Sequence, residues 1–79
     1  MKILVRNLNR DTTERDIRDL FERFGTIESC TIVMDEVSGR SKGFGFVEMP
    51  EAAEAKKAIA KLNKRVVHGS PIRVKTTNR

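Results

Sequence analysis

Two phenylalanines, Phe44 and Phe46, stand two positions apart, with a glycine on each side of Phe44. In a β-strand, residues at this spacing point to the same side of the sheet and lie about 6.6–6.8 Å apart. Aromatic rings that share a surface can stack against other flat π systems. Basic residues are frequent in the same half of the chain, and they attract anions. The residue types and their spacing therefore indicate a surface for a ligand that is both flat and negatively charged.

Hydrophobic periodicity predicts the elements that must hold this surface, in the order strand, helix, strand, strand, helix, strand. The first helix begins after Thr13, which forms a capping box with Asp16, and ends near Gly25. Its apolar stripe has i, i+3, i+4, i+7 spacing and consists of Ile17, Leu20, Phe21 and Phe24. The second helix follows Pro50 and ends at Asn63. Its apolar stripe consists of Ala55, Ala58, Ile59 and Leu62.

The strands are predicted at residues 2–6, 27–34 and 43–49, with a last strand that buries Ile72 and Val74. Two right-handed strand–helix–strand crossovers place all four strands in one sheet, with both helices on the same face. We therefore expect an α+β fold, a ferredoxin-like βαββαβ sandwich with an antiparallel sheet, in a single domain of residues 1–79. The second face of the sheet is left without a covering helix.

Alternation along the third strand decides which side chains occupy the uncovered face. Gly45, Val47 and Met49 match the helix-covered face, so Phe44 and Phe46 point the other way. The same parity brings further side chains to the uncovered face: Lys2, Leu4, Arg6, Lys42, Glu48, Arg73 and Lys75. Two exposed phenylalanines call for a partner. Rings surrounded by cations suit unpaired nucleobases and their phosphates.

The formal net charge of the 79 residues is +5, and it is unevenly distributed. Residues 1–39 carry six basic and eight acidic side chains, whereas residues 40–79 carry ten basic and three acidic ones. The positive second half favours a polyanionic partner.

Several classes of function lack the side chains that they need. Cys30 is the only cysteine, so the chain can form neither an intramolecular disulfide nor a cysteine-pair metal site. His68 is the only histidine, and we assign it to a turn without a catalytic role. We expect no enzyme activity, no catalytic residues, no metal and no cofactor. No apolar run approaches the roughly 20 residues of a membrane span, so we also expect no membrane partner and a cytoplasmic location.

Residues 42–49, KGFGFVEM, resemble the eight-residue ribonucleoprotein motif of the RNA recognition motif family. Residues 3–8, ILVRNL, resemble its six-residue companion, and the resemblance extends over essentially the whole chain. The chain is similar to the small single-domain bacterial and cyanobacterial RNA-binding proteins of this family. The resemblance implies the strand order 4-1-3-2, with the two motifs on the central strands and single-stranded RNA bound across them.

On this resemblance we expect a monomer that acts in post-transcriptional regulation and binds single-stranded DNA more weakly than RNA. The expected RNA-binding residues are Phe44, Phe46, Leu4, Lys2, Arg6, Lys42, Arg40, Glu48, Arg73, Lys75 and Thr76. Phe44 and Phe46 stack on bases, and the basic side chains contact the RNA backbone. Arg40 lies in the loop before the third strand. Thr76 belongs to the C-terminal residues expected to influence base preference.

The chain departs from the family pattern at three positions. Leu4 stands where the family usually has a stacking aromatic residue, so one of three platforms is missing. Met49 replaces an inward-facing aromatic residue, which changes packing only. Lys64 stands where glycine often ends the second helix, and we expect Asn63 to adopt the left-handed conformation in its place.

Two other functions are compatible with the same order of elements. One is a protein-interaction or self-association module, which the loss of an aromatic residue at Leu4 favours. The other is an acylphosphatase-like enzyme, since Arg6 and Asn7 lie after the first strand. The glycine-rich phosphate cradle of that enzyme family is missing.

Overall fold

The computed structural model describes residues 1–77, which form two helices and six strands. The helices are α1 (Glu14–Glu22) and α2 (Ala52–Leu62). The strands are β1 (Lys2–Arg6), β2 (Ser29–Met34), β3 (Ser41–Glu48), β4 (Val66–Val67), β5 (Ser70–Pro71) and β6 (Arg73–Thr76). Four of them form an antiparallel sheet in the order β2-β3-β1-β6, while β4 and β5 form a separate hairpin. With β6 as the fourth long strand, this is the expected order 4-1-3-2, so the ferredoxin-like fold is confirmed.

The hydrophobic core lies between the helices and one face of this sheet. Alternate residues of the strands are buried there, as their parity predicts: Ile3, Val5, Cys30, Ile32, Val47 and Val74. Met49, directly after β3, is buried in the same core. The helices contribute Ile17, Phe21, Ala55, Ala58 and Leu62. A Cβ atom at Gly45 would clash with the backbone carbonyl oxygen of Thr31, so β2 and β3 approach each other more closely than another residue would permit. Glycine at this position therefore helps to keep Phe46 opposite Thr31 of β2.

The predicted capping box at the start of α1 is confirmed. The backbone N–H of Thr13 donates to the Asp16 carboxylate over 2.9 Å, and the Asp16 N–H donates to Thr13 Oγ1 over 3.2 Å. Glu14 makes a contact that the sequence pattern missed, because its carboxylate accepts the backbone N–H of Ile32 over 3.1 Å. Ile32 lies on β2, the outer strand of the sheet. Glu14 therefore satisfies a backbone group on an edge that would otherwise be open to another chain.

The end of α2 differs from the expectation. Asn63 is the C-cap with φ −61° and ψ 130°, and the left-handed residue is Lys64 with φ 72°. The expectation for Asn63 is wrong because its side chain has another role: its Oδ1 accepts the Val74 N–H over 3.0 Å. This bond joins the end of α2 to β6.

Strand boundaries and one strand pairing also differ from the sequence prediction. β2 begins at Ser29 and not at Ile27, and β3 begins at Ser41 and not at Gly43. Ser70–Pro71, expected in a turn, pairs with Val66–Val67 in the small hairpin. Neither helix within residues 1–77 has the length and apolar character that a membrane span requires.

Candidate nucleic-acid interface

Strand pairing arranges the uncovered face of the sheet in rows. The central row has Leu4 directly opposite both Phe46 on β3 and Lys75 on β6, with Thr31 of β2 on the far side of Phe46. A second row pairs Arg6 with Arg73. In the third row, Glu48 lies between Lys2 on β1 and Ser29 on β2. The register therefore brings together, on β1, β3 and β6, seven of the expected residues: Lys2, Leu4, Arg6, Phe46, Glu48, Arg73 and Lys75.

The two phenylalanine rings form an edge-to-face pair. The centroids of Phe44 and Phe46 lie 6.3 Å apart, and their planes meet at 86°. Both side chains are half-buried. Because the planes are nearly perpendicular, the rings offer two differently oriented surfaces to a ligand and not one flat platform.

The face of the Phe46 ring is occupied by a neighbouring cation. The Nζ atom of Lys2 lies over this ring, 4.8 Å from the centroid. A cation–π contact at an exposed site contributes about 0.5–1 kcal/mol. A base that stacks on Phe46 gains about 1–3 kcal/mol. Such a base can therefore displace Lys2 from the ring.

Leu4 lies at the centre of the interface. It lines an open depression of about 330 Å³ together with Arg6, Phe44 and Phe46. Its side chain is half-buried, whereas its neighbours Val5 and Ile3 are fully buried in the core. The side chain that replaces the usual aromatic residue thus faces the same depression as both rings.

Positive charge is concentrated where β1 and β6 meet. Arg6 and Arg73 are directly opposite each other and both are exposed. Like charges in this position destabilise a sheet. The two arginines and Asn7 line a polar depression of about 450 Å³. On the other side of Arg6, a depression of about 300 Å³ is lined by Arg10 and Lys42, among others. An anion in either depression would offset the repulsion between these cations.

Two of the expected residues lie away from this cluster. Arg40 is exposed in the loop between β2 and β3, where its carbonyl oxygen accepts the Asp35 N–H over 2.7 Å. The Asp35 carboxylate accepts hydrogen bonds from the backbone N–H groups of Val37 and Ser38. These bonds, chiefly the one from Ser38, hold the Asp35 pKa below its ordinary value. Thr76 pairs with Ile3, so it has the parity of the core residues and not of Lys75.

The residues predicted from the sequence for this face include none from β2, the outer strand of the sheet. Thr31 lies opposite Phe46 and Ser29 lies opposite Glu48, and both are exposed. The sequence pattern could have predicted these two residues, because strand residues that alternate with the buried Cys30 and Ile32 must point to the uncovered face. Their hydroxyl groups add hydrogen-bonding capacity to the uncovered face beyond the two rings.

The chain matches the model of a known protein family and is similar in sequence to known proteins. The family model described as "RNA recognition motif" matches residues 3–73. The chain is 39% identical over its full length to polyadenylate-binding protein 4 of Arabidopsis thaliana, of which it covers 12%. It is 36% identical over 92% of its length to the poly(U)-binding-splicing factor PUF60 of Bos taurus, of which it covers 14%.

A solved structure agrees with this assignment. The crystal structure of RNA binding protein PG1 superposes with a TM-score of 0.94 at 38% identity, covering all of this chain and 96% of that one. The similarity thus extends over the whole fold, including the strands that carry the candidate interface.

Proposed function

The chain belongs to the RNA recognition motif family, and on that premise we propose that it binds single-stranded RNA across the uncovered face of its sheet. The observation that carries the proposal is the pair Phe44 and Phe46, two half-buried rings on a face without helices. Unpaired bases need aromatic surfaces, and the backbone that joins them needs positive charge. Both lie on this face.

The rings have different roles in this proposal. The face of Phe46 is reachable, because the Lys2 ammonium already lies over it. One base displaces Lys2 and stacks there. Phe44 is perpendicular to Phe46, so it contacts the next nucleotide in a different orientation, through base or ribose.

The cations follow the RNA backbone. Arg6 on β1 and Arg73 and Lys75 on β6 hold phosphates, and Lys42 holds one near Phe44. Arg40, at the end of its loop, contributes more to the rate of association than to the bound pose. Phosphate contacts of this kind supply affinity without reading the sequence.

The names of two relatives give the same ligand class, since one is a polyadenylate-binding protein and the other a poly(U)-binding factor. Their different homopolymers indicate that this fold accommodates more than one base. We propose a monomer that works by binding alone, without catalysis, and acts in the cytoplasm in post-transcriptional regulation. DNA lacks the 2′-hydroxyl groups of RNA, so single-stranded DNA is the weaker ligand.

Titration of fluorescein-labelled octaribonucleotide pools, followed by fluorescence anisotropy, tests the proposal. The variant Phe46→Ala should weaken binding by about 1–3 kcal/mol, which is about 5- to 150-fold. The control is Val66→Ala, which trims a side chain that is 64% exposed on the separate hairpin and should leave affinity unchanged. Thermal unfolding of each variant verifies that it is folded at the assay temperature.

Two results would overturn the proposal. One is equal RNA affinity in wild type and folded Phe46→Ala. The other is no RNA binding by the wild type together with concentration-dependent association in sedimentation, which would identify a self-association module.

A further inference from the structure

We propose that Glu48 selects guanine for the base that stacks on Phe46, an inference that rests on the proposed RNA binding. Glu48 follows Phe46 by two residues on β3, so both side chains point to the uncovered face. It is half-buried and lies directly opposite Lys2 on β1 and Ser29 on β2. The carboxylate therefore flanks the stacking site.

A carboxylate is out of place on a surface that attracts RNA. Its charge repels phosphates, whereas the surrounding cations attract them. An ionised carboxylate can only accept hydrogen bonds, and phosphate groups have none to donate. The donors of an unpaired nucleotide lie on the Watson–Crick edge of the base and on the ribose. Glu48 is thus suited to reading a base edge and unsuited to holding a phosphate group.

Lys2 completes the recognition site. Its ammonium lies 4.8 Å from the centroid of Phe46. A base that stacks on Phe46 takes this place and moves Lys2 aside, toward Glu48, its cross-strand partner. The edge of the base then meets a donor and a pair of acceptor oxygens side by side.

Guanine is the base that matches this arrangement. Its N1–H and N2–H₂ groups are neighbouring donors, which fit the two oxygens of a carboxylate, and its O6 can accept from the Lys2 ammonium. Uracil has one N–H between two carbonyl oxygens. Adenine and cytosine place a ring nitrogen acceptor beside the amino group. In those three bases an acceptor faces the carboxylate and repels it.

The test uses four octaribonucleotides, U8 and its derivatives with one central G, A or C, titrated at fixed salt by fluorescence anisotropy. The wild type should bind the guanine octamer about tenfold more tightly than the other three, the discrimination typical of a two-bond base contact. Glu48→Gln replaces one acceptor oxygen with a donor and should reduce this ratio to about twofold or less. Its affinity for U8 should stay equal or rise, because a negative charge is removed from the surface.

Glu22→Gln is the matched control, since it makes the same change at an exposed position on α1. It should leave the ratio at the wild-type value. A guanine ratio that survives in folded Glu48→Gln overturns the inference, and so does a wild type that binds all four octamers equally. Both of those results leave RNA binding itself intact. Failure of the wild type to bind any octamer would instead refute the proposed function.

Discussion

Replacing Leu4 with phenylalanine should restore the platform that this chain lacks. Leu4 is directly opposite Phe46, and it lines the depression of about 330 Å³ that both rings share. Its side chain points away from the helices, so a larger residue meets open space and not the core. Phenylalanine is also favoured in strands. The variant Leu4→Phe therefore adds a ring where RNA is proposed to lie and leaves the folded core unchanged.

The magnitude follows from the value of one stack. A base–aromatic stack contributes about 1–3 kcal/mol, and 1.4 kcal/mol corresponds to a factor of ten. With one such contact missing, the wild-type domain should bind short RNA with a Kd in the micromolar range or weaker. Leu4→Phe should tighten binding by about fivefold to a hundredfold. The new cross-strand contact with Phe46 should also stabilise the fold by about 0.2–1 kcal/mol.

Anisotropy titration of both proteins against one selected RNA at fixed salt measures the effect. Val66→Phe is the control, because it adds the same ring at an exposed position on the separate hairpin. It should not change the affinity. If Leu4→Phe is folded and binds no more tightly than the wild type, the base does not pass over Leu4. The arrangement of bases proposed here would then be wrong.

The remaining predictions concern charge and the first helix. If three to five phosphates are neutralised, log K should fall against log salt concentration with a slope of about −2 to −3.5, and a flat response would contradict the phosphate contacts. Arg73→Gln should make that slope less steep by about 0.7. Because the variant removes the repulsion with Arg6, it should also raise the free energy of unfolding by about 0.2–1 kcal/mol. Thr13→Ala should lower the free energy of unfolding by about 1 kcal/mol in urea titrations, because it removes the N-cap acceptor. The Asp16 pKa is held below its ordinary value of 3.8, chiefly by the hydrogen bond from the Thr13 backbone N–H. The ionised Asp16 carboxylate therefore stabilises the folded protein above pH 4, and this stabilisation is lost as the pH falls through the pKa of the folded state. Asp16→Asn should flatten this acid limb of the stability profile.

Residue alternation predicted most of the side chains on the uncovered face, because the period of a strand leaves only two faces to choose between. Val47 and Met49 had to meet the helices, which assigned Phe44 and Phe46 to the uncovered face without knowledge of the register. The orientation of the rings was beyond such reasoning. It depends on side-chain torsions and on the Lys2 ammonium above Phe46, neither of which leaves a trace in the sequence pattern.

The sequence prediction was wrong about which residue is left-handed at the end of α2. Asn63 is the residue type that tolerates the left-handed conformation, yet the bond from Val74 holds its side chain at the helix end. Lys64 takes the left-handed conformation in its place. The influence on base preference that is expected of Thr76 stays a prediction. The pairing of Thr76 with Ile3 gives it the parity of the covered face.

The opposed arginines connect stability with binding. Arg6 on β1 is directly opposite Arg73 on β6. The neighbouring residues Val5 and Val74 form the next pair between the same two strands. Those valines are buried, so the covered face holds β1 and β6 together. The uncovered face is thereby free to carry a charge pair that opposes the pairing of the same strands. Bound phosphate would remove that opposition, and RNA binding should therefore stabilise the β1–β6 edge beyond the contacts it makes there.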